Sequence, residues 1–290
     1  MWTIASTGRT QARLRTVLPG ALAAVAVLAL AAPAAAGTGS QRPAGPTSSS
    51  PVMRLQAMPA GAVTFGRDRH RRVIVHVSAY GFTPGSSHAV DLFIPGRARM
   101  VRFRTLTAAS TGSARATLSS DFAGRLRLGS VLMIRMGVAG QPGGRVIAET
   151  RPLSGSGRGP HPLMAVEIGR AGLDWGMPQG WASVSYRSHQ HTLTVAVHAS
   201  GLTPGRHAAH IHLGSCWSQG PVKYMLRDLV ADRHGEIRLA TRVFRNVTTP
   251  IPAHGWYFNL HEGNSGNILR NGQPSIWFRP LLCRDIGHRY

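Results

Sequence analysis

The most chemically informative stretch of the sequence is a pair of histidines separated by one apolar residue, His210-Ile211-His212. In a β-strand, successive side chains point to opposite faces, so both imidazoles would share one face and Ile211 would point into a core. The two α-carbons would lie about 6.5–7 Å apart, a spacing that lets two imidazoles bind one metal ion. A His-x-His pair also fits a solvated polar face, so both interpretations stay open for this motif alone.

A third histidine ends an alternating segment further along the chain, Trp256–His261. In a strand, His261 falls on the face opposite Phe258 and Leu260, which predicts that it projects away from the core as the first pair does. If the two strands are neighbours, three imidazoles meet. Three neutral imidazoles suit Cu or Zn, whereas Mg and Ca prefer oxygen ligands.

Two further histidines lie close in sequence to this trio. His207 and His254 are candidates for an additional ligand or for a contact that supports one. We interpret the remaining histidines of this region as solvated: His189, His191, His198 and His234.

The chain contains two cysteines, Cys216 and Cys283. In an oxidising compartment they are expected to pair, and two cysteines allow one intramolecular connectivity. A bond would close a loop for which chain-entropy models give about 4 kcal/mol of stabilisation.

The N-terminus indicates export. Residues 1–36 have a positively charged start, an apolar run from Val17 to Ala32 and the small residues Ala34-Ala35-Ala36, which is typical of a signal peptide. The alternative is a membrane anchor, but the run is short for a spanning helix, and no later segment is apolar enough to span. We therefore predict a secreted, extracytoplasmic protein with no transmembrane segment in the mature chain.

The formal net charge of +22 comes almost entirely from arginine. Such a charge attracts anions and favours nonspecific contact with polyanionic envelope material. No helix-turn-helix, RNA-binding signature or zinc-finger spacing accompanies it, so we predict no specific nucleic-acid partner.

Short β-branched runs separated by Gly and Pro turns predict an all-β protein. The series occurs twice, for example in the turns Gly81–Gly85 and Gly201–Gly205, which differ at one residue. Matched order and spacing predict two tandem Greek-key β-sandwiches from an internal duplication. The predicted boundaries are a signal peptide at 1–36, a linker at 37–52, a degenerate N-terminal repeat at 53–153, a second linker at 154–163 and a metal-binding sandwich at 164–290.

The two repeats differ in the residues that could do chemistry. At the place of the His-x-His pair the first repeat has Val90 and Leu92, or Asp91 and Phe93 if the alignment is shifted by one residue. Arg135 stands at the place of His261. Both cysteines also belong to the second repeat. Features shared by the repeats therefore indicate fold, and features confined to the second are the candidates for function.

Over residues 164–286 the sequence resembles the copper/zinc superoxide dismutase superfamily, including its CHRD-type relatives. The similar features are a Gly-Leu turn before the His-x-His pair, a cysteine soon after it, an Ala-Asp segment followed by Gly235, the pair His261-Glu262, and Cys283 near the C-terminus. The resemblance implies a Greek-key β-sandwich with copper on its outer face.

Carried over by position, the resemblance implies copper ligands at His210, His212 and His261, and a disulfide between the two cysteines. It makes Arg279 a candidate for guiding an anionic substrate, superoxide or another small anion. The family's bridging histidine and zinc loop have no counterpart here, since residues 213–228 contain no histidine. A copper-only site follows, with zinc as an alternative occupant.

Three functions are therefore compatible with the sequence. The first is a secreted copper-binding, superoxide-dismutase-like protein that could dismutate superoxide. The second is a non-catalytic copper-binding or chaperone-like protein that uses the same three histidines. The third is a metal-free, CHRD-like envelope-binding module. Whether the protein is an enzyme stays open at this point.

Overall fold

The computed structural model describes residues 47–49, 52–136, 144–155, 159–165 and 177–287. These residues belong to one compact unit, Pro43–Tyr290. They form β-strands, turns and two short 3-10 helices, so the all-β prediction is confirmed. The predicted signal peptide and most of the first predicted linker lie outside the described residues.

The described part of the chain contains no helix with the length and apolar character that a membrane crossing requires.

In chain order, the strands are β1 (Thr47–Ser49), β2 (Met53–Ala57), β3 (Ala60–Arg67), β4 (Val73–Tyr80), β5 (Ser87–His88), β6 (Val90–Phe93), β7 (Val101–Arg102), β8 (Leu106–Thr107), β9 (Ala114–Ser119), β10 (Val131–Arg135), β11 (Val146–Thr150), β12 (Pro160–Ala165), β13 (Gln179–Arg187), β14 (Thr192–Ser200), β15 (Gly205–Gly214), β16 (Gln219–Ala231), β17 (Ile237–Phe244), β18 (Trp256–His261), β19 (Leu269–Arg270), β20 (Gln273–Pro274) and β21 (Pro280–Ile286). The 3-10 helices span Ser188–Gln190 and Ile276–Phe278.

Most strands belong to two large curled sheets. The first sheet has the order β7-β6-β10-β11-β12-β3-β4-β9, and the second has the order β16-β15-β18-β21-β2-β13-β14-β17, with β1 added against β13. The two orders correspond position by position along the chain, apart from β12 and β2. This correspondence is what a duplication would produce, although the duplication itself stays a prediction.

The fifth strand of each sheet does not follow this correspondence. It is β12 in the first sheet and β2 in the second. β2 precedes every strand of the first sheet but pairs with β13 and β21 of the second. β12 follows the other strands of the first sheet, pairs with β11 and β3, and leads into the second. β12 therefore runs across the predicted boundary near residue 164, and β2 lies inside the first predicted repeat although it pairs with the second sheet. The domain boundaries stay a prediction.

Each sheet encloses its own apolar core. In β4 the alternate residues Val73, Val75 and Val77 are buried in the first core, as the period-2 pattern of a strand requires. In the second half, Ala209 and Ile211 of β15 and Phe258 of β18 enter the second core. The residues between them on these strands are therefore directed to the other face of the sheet.

A third, smaller cluster lies where the two halves meet. Met58 and Ala60, which follow β2, pack with Tyr257 and with Cys216 and Cys283. The chain leaving the second sheet thus covers part of the face to which the three histidines are directed.

Candidate metal centre

Neighbouring strands bring three histidines to one face of the second sheet. β15 pairs with β18, placing His210 opposite Asn259 and His212 opposite Tyr257. One ring nitrogen from each of His210, His212 and His261 lies within 4.8 Å of the other two. The three side chains are 3%, 3% and 0% exposed. Residues distant in sequence thus form one buried imidazole cluster.

The strands are irregular at the cluster. The pairing of β15 with β16 shifts register between Ala208 and His210 and again on either side of His212. The pairing of β18 with β21 shifts between Leu260 and His261. Such β-bulges redirect side chains locally, and they occur often beside functional sites.

Carbonyl oxygens orient two of the imidazoles. Nδ1 of His212 lies 2.9 Å from the carbonyl oxygen of Gly220, and Nδ1 of His261 lies 2.6 Å from that of Phe278. A carbonyl only accepts, so each Nδ1 carries the proton and donates. In each ring the basic Nε2 remains, buried and without a hydrogen-bond partner among the described residues. This is the arrangement typical of a metal-binding histidine.

His210 and Asn259 form the least satisfied part of the cluster. Neither ring nitrogen of His210 and neither amide atom of Asn259 has a hydrogen-bond partner in the described structure, and all four atoms are buried. Leaving a buried polar atom unpaired costs about 1–3 kcal/mol. Several buried polar atoms without partners therefore indicate a site that binds a polar or charged ligand.

Burial keeps the imidazoles neutral. It lowers the pKa of His210 to about 4, with a further lowering from His212. It lowers the pKa of His261 to about 3, with a further lowering from His210, and it also lowers the pKa of His212. Near neutral pH the three rings are therefore unprotonated bases. Three such nitrogens within reach of one point could bind a metal ion, and the donor set fits Cu or Zn.

The two cysteines form a disulfide, which confirms the predicted pairing. Cys283 lies on β21 directly opposite Asn259 of β18. The backbone N–H of Cys216 donates to the carboxylate of Asp285 at 2.7 Å. The cross-link therefore joins the loop after β15 to the strand beside the histidine cluster.

The other two candidate histidines lie elsewhere. The ring nitrogens of His207 contact the carbonyl oxygens of His261 (3.0 Å) and Thr203 (2.8 Å), so its ring supports the backbone of the site. His254 is exposed in the segment before β18. Neither residue belongs to the three-histidine cluster.

Arg279 is 3% exposed, and its Nε donates to Glu262 at 2.8 Å. Arg145, which immediately precedes β11 of the first sheet, pairs with the other oxygen of the same carboxylate. The backbone N–H of Glu262 also donates to the carbonyl oxygen of Arg279 at 2.9 Å. The guanidinium of Arg279 thus stabilises the end of β18, next to His261.

The CHRD domain model matches residues 171–270. The CHRD-like region includes all three histidines of the cluster and Cys216, and it ends before Arg279 and Cys283. A comparison with curated proteins finds no match. The CHRD-type part of the resemblance is therefore supported for the second half of the chain.

Several residues of the site were not singled out as candidates from the sequence. Tyr257 stacks on His212 with ring centroids 4.9 Å apart, and its hydroxyl accepts from the backbone N–H of Gly220. Asn259 and Tyr257 share the period-2 face of His261, which was the available signal in the sequence. The carbonyls of Gly220 and Phe278 left no signal, because any residue type supplies a carbonyl.

Proposed function

We propose that the CHRD-like half of this secreted protein is a copper-binding module that holds one copper ion with His210, His212 and His261. The observation that carries the proposal is the set of three buried imidazoles with mutually close, unsatisfied ring nitrogens. Copper is favoured over zinc by the resemblance of the His-x-His and His-Glu segments to the copper side of the superoxide dismutase superfamily. The disulfide is compatible with an oxidising, extracytoplasmic location.

Burial of the site favours copper binding without turnover. The three histidines are at most 3% exposed, which limits direct contact between an anion in solution and their side chains. Arg279, the candidate guide for an anion, has its guanidinium engaged by Glu262. In this proposal the residues Tyr257, Gly220 and Phe278 fix the imidazole planes and exclude water from the metal.

The test is the metal content of the mature protein purified without a tag and dialysed against copper or zinc. We expect about one copper per chain, and His212→Ala should lose it while the circular dichroism of the β-structure stays unchanged. His198→Ala is the matched control, because His198 lies outside the cluster and is partly exposed. Full copper uptake by the His212→Ala protein would contradict the proposed site.

Dismutation of superoxide is a second candidate for the same site. Bound copper supplies a one-electron redox centre, and the net charge of +22 would draw an anion toward the protein. The copper-loaded protein should then consume superoxide, and His261→Ala should not. Bound copper without turnover would leave the non-catalytic binding function.

A metal-free CHRD-like module is the remaining alternative, supported by the match over residues 171–270. In that case the purified protein would take up neither copper nor zinc, and substitution of any one of the three histidines would leave metal content at the background level.

A further inference from the structure

A broad groove of about 890 Å³ lies in the first half, away from the histidine cluster. Its lining includes four arginines, namely Arg97, Arg99, Arg102 and Arg135. They come from the segment around β7 and from the end of β10. None of the functions proposed for the histidine cluster uses this groove.

Three of these cations are not neutralised. Arg135 pairs with Asp91 at 2.7 Å. Among the described residues, no carboxylate lies within 4.0 Å of the guanidinium of Arg97, Arg99 or Arg102, all of which are exposed. Like charges held in one groove repel each other, and an anionic ligand with several charged groups relieves that repulsion. Arginine also binds carboxylates with two parallel hydrogen bonds.

The groove also has apolar walls. Phe103 and Phe122 line it and are half-buried, and the guanidinium of Arg97 lies over the ring of Phe122 at 4.7 Å. The stacked arginine is held further by a hydrogen bond from its Nε to the carbonyl oxygen of Arg99 at 3.0 Å. The site therefore combines flat apolar surface with a group of cations, of which Arg97 and Arg135 are held in place by these contacts.

Two carboxylates indicate what kind of anion fits. Asp121 lines the groove with a fully exposed side chain, and Asp91 lies beside Arg135. Carboxylates accept hydrogen bonds from hydroxyl groups but repel a closely spaced row of phosphates. A ligand with hydroxyl groups and widely spaced negative charges can bind the arginines and also donate hydrogen bonds to these carboxylates. Such a ligand fits the groove better than a nucleic acid does.

We propose that this groove binds an acidic oligosaccharide, with Arg99 and Arg102 on its carboxylates and Phe103 against the face of a sugar ring. Asp121 accepts from its hydroxyl groups. The groove thus gives the first half a binding function that does not depend on metal in the second half.

The test uses a galacturonate hexasaccharide as the probe, titrated calorimetrically into the full mature chain. We expect binding that the neutral probe maltohexaose does not reproduce. Because the double variant Arg99→Gln with Arg102→Gln loses charge-assisted hydrogen bonds to the carboxylates, it should bind the probe at least about tenfold more weakly. Phe103→Ala, which leaves the charge unchanged, should weaken it about fivefold or more.

The matched control is Arg187→Gln with Arg270→Gln, which removes the same charge from exposed positions in the second half. It should change the affinity less than about twofold. An equal loss of affinity in the control would show that net charge alone attracts the probe, and it would overturn the assignment of the binding site to this groove. Absence of binding to the wild-type chain, or equally tight binding of a thymidine hexanucleotide, would overturn the assignment of an acidic oligosaccharide.

Discussion

Arg145 of the first half and Glu262 of the second half form an ion pair at the edge of the histidine cluster. Glu262 directly follows His261 in the chain and also pairs with Arg279. The side chain of Glu262 is 2% exposed, so its charge depends on these guanidiniums for compensation. The first half thus helps to hold the strand end that presents His261.

Arg145→Gln should therefore lower copper affinity although Arg145 is not a proposed ligand. Residues that support metal ligands typically change metal affinity 10–100-fold when replaced, so we expect a loss of about tenfold. Competition with a copper chelator measures the change. Arg151→Gln is the control, since Arg151 is exposed in the same half. Equal affinities for the Arg145→Gln and wild-type proteins would contradict a supporting role.

Asn259 should be a residue whose replacement stabilises the metal-free protein. Both of its amide atoms are buried and unpaired among the described residues, so Asn259→Leu removes a desolvation cost and should raise the free energy of unfolding by about 1 kcal/mol. Asn267→Leu is the control, because Oδ1 of Asn267 accepts from the backbone N–H of Asn264 at 2.8 Å. It should destabilise the protein. Urea unfolding of both variants without metal gives the comparison, and destabilisation by Asn259→Leu would show that the amide is satisfied.

The local part of this site could be predicted from the sequence. Alternation in Trp256–His261 predicts which face carries His261, because the side-chain period of a strand is a property of the backbone. The structure agrees, since Phe258 lies in the core and His261 does not. The first repeat also has no counterparts of His210, His212 and His261, which pointed to the second half as the place of the cluster.

The non-local part could not be predicted. Arg145 and Glu262 are far apart in sequence, and nothing in the composition of either segment identifies the other as its partner. The same holds for β2 and β12. A short amphipathic strand fits any sheet edge that offers a complementary apolar face, so its sequence does not specify which sheet it joins.

The metal-free protein should lose stability as the pH falls below about 6.5. Burial lowers the pKa of His88 to about 4, as it does for His210, and that of His261 to about 3. The unfolded chain takes up these protons near the ordinary pKa of 6.5, before the folded protein does. The stability that these neutral histidines contribute is therefore fully present above pH 6.5, and it is lost as the pH falls toward 4.

Replacement of one of these histidines tests the sign of this effect. His88→Gln should reduce the loss of unfolding free energy between pH 7 and 5, because one group fewer binds a proton on unfolding. Each such group contributes up to about 1.4 kcal/mol per pH unit. Urea unfolding at the two pH values supplies the measurement. If the change in unfolding free energy between pH 7 and 5 were the same as in the wild-type protein, His88 would take up its proton as readily in the folded protein as in the unfolded chain.

The disulfide should contribute strongly to stability. It joins residues 67 positions apart, and chain-entropy models give about 4 kcal/mol for such a loop. Cys216→Ser with Cys283→Ser should therefore lower the melting temperature by several degrees and weaken copper binding, since Cys283 lies opposite Asn259. Treatment of the wild-type protein with a reductant should reproduce the effect, whereas the double variant should not respond to it. Equal melting temperatures before and after reduction would be the contrary result.

The exchange of β2 and β12 makes a prediction about two matched leucines. Leu55 of β2 is buried in the core of the second half, and Leu163 of β12 is buried in the core of the first. Replacing a buried leucine by alanine costs about 2–5 kcal/mol. Leu55→Ala should therefore lower the stability of the second half, although Leu55 precedes the first sheet in the chain. Leu163→Ala should lower the stability of the first half.

Hydrogen exchange separates the two effects, because it reports the stability of each region individually. Leu55→Ala should speed exchange in β14 more than in β4, and Leu163→Ala should do the opposite. The two variants serve as controls for each other, since they remove the same atoms from equivalent sheet positions. If Leu55→Ala instead speeded exchange mainly in β4, β2 would belong to the first sheet.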